Sequence, residues 1–320
     1  MISKIDESTN RRIIMAVTAG LVKELRELTG AGMMDCKKAL SETDGNIEAA
    51  IEFLRKNGQA KAEKKAGRIA AEGVVNAIVR DDKVAAIVEV NSETDFVAKN
   101  EEFMTFVKDV TYQVMETASP TVEALFEEKF ITDDSKTVKE ALNDKIARIG
   151  ENLTIRRFEK IEAEGLVVSY IHGGGRIGVL VEAATDVVND EIKRALKNVA
   201  MQIAAMAPKY VSSDEVSEEF KQKEKEILLA VAKQENPDKP DNIIEKMIIG
   251  RLNKQLKEIC LLSQAYVQDS DLTVAAYVEK VAKENSAALK VLRFVRFETG
   301  EGIEKAEGDF AAEVAAQLKG

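Results

Sequence analysis

The 320-residue chain sets 46 Lys and Arg against 56 Asp and Glu, a formal charge of −10, and 45% of its residues are apolar. That is enough apolar material for roughly two domains, with no run near the ~18 apolar residues of a membrane helix and no secretory leader pattern, so a soluble cytoplasmic protein is expected. The acidic balance argues against broad phosphate-backbone binding and so against DNA as a partner, no membrane partner is expected, the isolated Cys36 and Cys260 argue against disulfide or zinc scaffolds, and one histidine without HExxH, GxSxG, P-loop or GxGxxG patterns leaves little for bond chemistry, cofactors or metals.

Residues 1–14 are polar and aperiodic and read as a disordered extension ahead of a second methionine, Met15. From Thr18 the pattern changes. Leu21, Leu25 and Leu28 share one helical face, and Gly30 and Gly32 stop that helix. A second helix is predicted from about Met33 to Glu42. Asn46 then caps a third, whose Ile47, Ala50, Ile51 and Leu54 share a face until Asn57 and Gly58. Residues 15–58 therefore form a three-helix bundle. Residues 59–71, with Lys61, Lys64, Lys65 and Arg68 in an alanine-rich context, read as a solvated connecting helix, the alternative being an anion- or RNA-contacting surface.

The middle of the chain repeats itself. Glu72-Gly73-Val74-Val75, the run Ala85 to Val90, and a helix carrying Phe103, Phe106, Val107 and Val110 are paralleled, about 92 residues on, by Glu164-Gly165-Leu166-Val167, Ile177 to Glu182, and a helix carrying Ile192, Leu196 and Val199. Each copy closes with a third strand, Ile155–Glu159 in one and Phe294–Glu298 in the other. The shared unit is hairpin, helices, strand. Alternation around Phe158 and Phe297 suits antiparallel sheets with one face covered by helices, which gives an α+β core of two duplicated subdomains, 72–163 and 164–212 plus 262–299. Residues 213–261 are inserted as a coiled-coil-like helical hairpin. Val216, Phe220, Ile227, Leu228 and Val231 line one arm, a turn at Pro237 and Pro240 breaks it, and Ile244, Met247, Ile248, Leu252, Leu256 and Ile259 return. Such a hairpin offers a face for a homodimer or a 2:2 complex. The last segment, 300–320, ends in a helix carrying Phe310, Val314 and Leu318, which must dock either on its own chain or on a partner.

Two long motifs carry a family resemblance. Leu25 to Leu40, LRELTGAGMMDCKKAL, and Glu89 to Lys99, EVNSETDFVAK, are similar to the two signatures of the bacterial elongation factor Ts family, and the resemblance extends from Met15 to the end. It implies an N-terminal bundle of the ubiquitin-associated (UBA-like) type and a guanine-nucleotide exchange factor for elongation factor Tu that needs no nucleophile or general base. By itself, Thr94-Asp95-Phe96-Val97 reads as a threonine cap with an acidic first-turn residue and two apolar residues turned inward, and Thr185-Asp186-Val187-Val188 stands at the matching junction. The resemblance instead has Thr94, Asp95, Phe96 and Val97 reaching the partner's nucleotide-binding domain and dislocating Mg²⁺.

Met33 and Met34, about 100° apart on a helix, cannot both face inward, so one is expected to stay exposed. The family pattern places a partner surface there, with Lys37 one turn further. His172, followed by Gly173, Gly174 and Gly175, reads as a turn residue, while the resemblance makes it a contact to a second domain of the partner. Val267 matches the family's other contact with that domain more loosely, and Phe310, Val314 and Leu318 would meet the nucleotide-binding domain. Two other readings compete. One is an adaptor using the three-helix bundle as a binding module; the other is an enzyme using Gly173 to Gly175 as a phosphate loop, which lacks the lysine and following hydroxyl that chemistry requires.

Overall fold

The computed structural model describes residues 17–304, Asp238 excepted. The residues 1–14, Phe310, Val314 and Leu318 of the sequence reading lie outside the described residues. Three helices open the chain: α1 (Ala19–Thr29), α2 (Met33–Glu42) and α3 (Ile47–Lys65). Thr18 caps α1 by accepting the Leu21 amide, Gly30 ends it at φ 64°, and Asn46 caps α3 through the Ala49 amide. Leu25, Cys36, Ala39, Leu40 and Ala50 are wholly buried between them.

Here the structure departs from the sequence reading in two places. Gly58 does not end the third helix, so the division at 58 falls inside α3. The buried Gly58 faces a later helix, where even an added Cβ would meet Asp144 and Ala147 only at ordinary van der Waals distance, and packing along that helix offsets the ~1 kcal/mol helical cost of glycine. Leu28, expected to share the buried face of Leu25, is exposed because it projects from the last turn.

The first lobe then follows as β1 (Glu72–Arg80), β2 (Val84–Ser92), α4 (Asp95–Ala98), α5 (Glu101–Glu116), α6 (Val122–Glu127), β3 (Lys129–Phe130), β4 (Asp133–Thr137), α7 (Val138–Ile149) and β5 (Thr154–Glu162). The second runs β6 (Leu166–His172), β7 (Ile177–Thr185) and α8 (Asp190–Met206). The antiparallel hairpin α9 (Glu218–Glu235) and α10 (Asp241–Ile259) interrupts it before β8 (Ala265–Tyr266), β9 (Asp269–Thr273), α11 (Val274–Glu284) and β10 (Leu289–Glu298). Each lobe builds an antiparallel three-stranded sheet around its second strand, β1-β2-β5 and β6-β7-β10.

The duplication extends to parts with no sequence periodicity. The small hairpins β3–β4 and β8–β9 pair in matching register, Lys129 with Thr137 and Ala265 with Thr273. Each is pinned by a buried glutamine of the preceding long helix: Gln113 Oε1 accepts the Ile131 amide at 2.7 Å, and Gln202 Oε1 accepts the Val267 amide at 2.8 Å.

The sheets are not open on one face, as the alternation suggested. Val74, Ala86, Val88 and Val90 pack under α5, while Val75, Ala85, Ile87 and Ile161 face Val167, Leu180 and Phe297 of the other lobe. Helices therefore cover the outside of two sheets stacked back to back, which explains why the run Ala85 to Val90 is buried without interruption. Close approach is made by glycines: Gly175 accepts the Val75 amide at 2.7 Å, and a Cβ on Gly178 would sit 2.4 Å from Val75 Cγ1. Glu89, fully buried on β2, accepts from Arg156, Arg157 and the Gly300 amide, so its charge is doubly compensated.

The inserted hairpin also turns differently from the expected pattern. Ala232, Ile244, Ile248 and Leu252 form its inner seam with Leu228 and Leu229 beside it, whereas Ile227 and Val231 face water. They lie about 100° from the Leu228–Ala232 row. Among the described residues no helix is long and apolar enough to cross a membrane.

Candidate functional site

The junction of β2 and α4 carries the most exposed aromatic side chain among the described residues. Thr94 is extended, at φ −124° and ψ 156°, and its hydroxyl accepts the Val97 amide at 3.4 Å to begin the four-residue helix α4. Asn100 caps the following α5 through the amides of Glu102 and Phe103, so two helices start within a few residues and the chain between them forms a blunt knob. Phe96 at its tip is 81% exposed. Val97, one position on, is half-buried against the first-lobe core. The inward turn read from sequence therefore holds for Val97 and fails for Phe96, because one turn of helix cannot bury both neighbours. Asp95 bonds Lys99 at 2.6 Å, and that hydrogen bond, more than any other influence, lowers its carboxyl below the ordinary aspartate value.

A carboxylate from elsewhere in the sequence holds the base of the knob. Glu151, just beyond the left-handed Gly150 that ends α7, accepts the amides of Glu93 and Thr94 on one oxygen at 3.1 and 3.0 Å and the Thr94 hydroxyl on the other at 2.7 Å. Glu93 reciprocates by accepting the Asn152 amide at 2.5 Å, and Asn152 in turn donates to the Arg68 carbonyl at 2.8 Å. Glu151 and Asn152 did not figure in the sequence reading. Glycine before Glu151 marks a helix end, but nothing local signals what its side chain grips.

The other candidates are spread over the surface. Met33 and Met34 are both exposed, at 59% and 74%. One was expected to stay exposed and in fact both do, because Cys36, Ala39 and Leu40 fill the inner face of α2 and both methionines precede them in its first turn. Lys37 is exposed beside them. His172 closes β6 at a hairpin tip, with Tyr170 Oη 3.0 Å from its Nδ1, and Gly173, Gly174 and Gly175 follow with positive φ in each. This is a turn seated on β1, where no helix begins, and so no phosphate cradle of the P-loop type. Val267 stands half-exposed at the β8–β9 tip, its amide held by Gln202. Among the described residues no hydrogen bond or ion pair joins the Met33, Thr94, His172 and Val267 groups to one another, and no cluster of three or more His, Cys, Asp or Glu is arranged to hold a metal ion. Cys36 and Cys260 are buried, and burial raises both thiols above their usual range.

Architecture and surface together define a class: a two-lobed α+β protein, headed by a helical bundle, whose singular feature is an apolar side chain presented on a braced turn. Comparison with known proteins then narrows that class to one family. The family model described as Elongation factor TS matches residues 93–301. The chain is 54% identical over 304 residues to the Elongation factor Ts of Clostridium botulinum (strain Alaska E43 / Type E3), covering 94% of this chain and 99% of that protein. It is 53% identical to that of Clostridioides difficile (strain 630), covering 95% and 99%, and 50% identical to that of Clostridium novyi (strain NT), covering 94% and 99%. The chain belongs to the elongation factor Ts family, among the elongation factors of protein biosynthesis.

Proposed function

We propose that the chain is the guanine-nucleotide exchange factor for elongation factor Tu and that it speeds GDP release by pressing Phe96 into the nucleotide-binding domain beside the Mg²⁺ and phosphate site. Family membership supports the exchange role and the partner. The observation that carries the mechanism is Phe96 itself, 81% exposed on a one-turn helix clamped at its base. An apolar ring in water is unfavourable by about 1.5–3 kcal/mol relative to burial, and insertion into a partner recovers that free energy. Mg²⁺ and phosphate contacts are charge-assisted and geometrically exacting, so displacing a neighbouring helix by a fraction of an ångström weakens them. Linkage then requires that a factor lowering GDP affinity be itself bound less tightly when GDP is present. Nothing in this cycle calls for a bond to be made or broken.

In this reading Thr94, Asp95 and Val97 shape and seat the wedge. Met33, Met34 and Lys37 extend the contact from the bundle, with Phe310, Val314 and Leu318 as the contact from the C-terminal segment. His172 and Val267, both at second-lobe hairpin tips, meet a second domain of the partner. The outward Ile227 and Val231 of α9, with Ile243 and Ile249 of α10, are the hairpin face for a homodimer or 2:2 assembly. Mixing the chain with elongation factor Tu loaded with fluorescent GDP tests the exchange role. Release should accelerate at least about a hundredfold over the spontaneous rate, a barrier change of roughly 2.7 kcal/mol; release at the spontaneous rate would overturn it.

A further inference from the structure

We infer that Glu151 is a positioning residue for exchange: through the Thr94 hydroxyl it sets the one-turn helix that presents Phe96, without itself touching the partner. The inference rests on the proposed role of Phe96 and deepens it. A four-residue helix has too few internal hydrogen bonds to offset the cost of ordering its backbone, so α4 stands only if its first turn is held from outside. Glu151 does this from 57 positions away. One carboxylate oxygen takes two successive backbone amides and fixes the approach of Glu93 and Thr94. The other accepts a hydrogen bond from the Thr94 hydroxyl, which leaves a hydroxyl lone pair free to accept the Val97 amide from within the helix. The brace and the cap are thus one relay through a single oxygen. Both ends are anchored, since Glu93 returns the bond to Asn152 and Asn152 is tied to Arg68 beyond α3.

The second lobe supplies the comparison within the same molecule. Thr185 matches Thr94, but counting from the matching helix caps Thr137 and Thr273, the counterpart of Glu151 is Ala287. With no carboxylate there, the Thr185 hydroxyl donates to the Val187 carbonyl of its own turn at 2.9 Å, and the Asp186 carboxylate instead accepts from the Ala288 amide at 2.7 Å. Residues 186–189 form no helix. The lobe that has the glutamate has the knob, and the lobe that lacks it does not.

The test is a mutant cycle on the full-length chain, following release of fluorescent GDP from elongation factor Tu with wild type, Phe96→Ala, Glu151→Ala and the double variant. Glu151→Ala should slow stimulated release at least about tenfold, within the ~10²-fold that a misplacement of about 1 Å can cost, and should add nothing to Phe96→Ala. Amide exchange at Phe96 to Lys99 should quicken in Glu151→Ala while the sheet amides keep their protection. Glu151→Gln, which keeps one acceptor oxygen, should fall between wild type and Glu151→Ala, and it serves if the alanine variant does not fold. Wild-type release by Glu151→Ala or Glu151→Gln, with Phe96→Ala slow, overturns the positioning role alone. A defect that persists in full in the Phe96→Ala background makes Glu151 merely structural and overturns it as well. Wild-type release by Phe96→Ala removes the wedge reading and this inference together.

Discussion

At the residue scale, geometry is set by backbone approach as much as by side chains. Gly73, at φ 133° on the edge strand of the first sheet, lies where a Cβ would come within 2.2 Å of the Val90 carbonyl oxygen, and its repeat partner Gly165 stands 2.1 Å by the same measure from the Ala183 carbonyl oxygen. Backbone atoms in a sheet cannot yield as a flexible side chain does. Gly73→Ala is therefore expected to cost at least about 2 kcal/mol of first-lobe stability, from the conformation and the contact together; a denaturant midpoint unchanged from wild type would show that the strand simply slides aside. Both glycines were visible in the sequence as the opening of the repeat, and the capping roles of Thr94 and Asn46 followed from their place before apolar runs. Glu151 was not legible. Its partners are backbone amides and a hydroxyl far off in the chain, and such groups leave no mark on the residue that binds them.

At the element scale, the strands and long helices followed from periodicity, while the pieces below about five residues did not. Strands β3 and β8 are two residues long, too short for alternation to register. Their positions are fixed by buried polar groups. In the first lobe that network centres on Glu128, which receives hydrogen bonds from Gln113, Thr117 and Ser119. Burial pushes this carboxyl up, but the three donors outweigh it and hold it below the ordinary glutamate range. A carboxyl whose folded value lies below its unfolded one contributes stability that is fully present above the unfolded value, about 4.3, and that is lost as pH falls through the folded value. Between about pH 5 and 3, protection of the β3–β4 amides should decline more steeply in wild type than in Glu128→Gln, where no charge is titrated; identical pH profiles would contradict the account. The continuity of α3 through Gly58 was missed for a related reason. Sequence shows the glycine but not the helix α7 whose packing against α3 carries the helix through it.

For the whole molecule, the repeat predicted a hairpin, helices and a closing strand in each lobe, but not that the second strand takes the central place. It did not predict that the sheets stack back to back. The expectation of one covered face rested on alternation around Phe158 and Phe297, whereas β2 is buried on both faces, and its Glu89 is accommodated by the arginines of β5 with the Gly300 amide. The consequence for function is rigidity. A stacked core shared by both lobes seats the β2–α4 knob on a continuously buried strand, which the proposed wedge would need. The most direct measurement is stopped-flow release of fluorescent GDP from elongation factor Tu by wild type and Phe96→Ala, each at a concentration that saturates the partner. The account predicts that Phe96→Ala melts at the wild-type temperature and still binds nucleotide-free elongation factor Tu, yet releases GDP at least about tenfold more slowly, a loss of roughly 1.4 kcal/mol or more. Release at the wild-type rate by a folded, bound Phe96→Ala would contradict it.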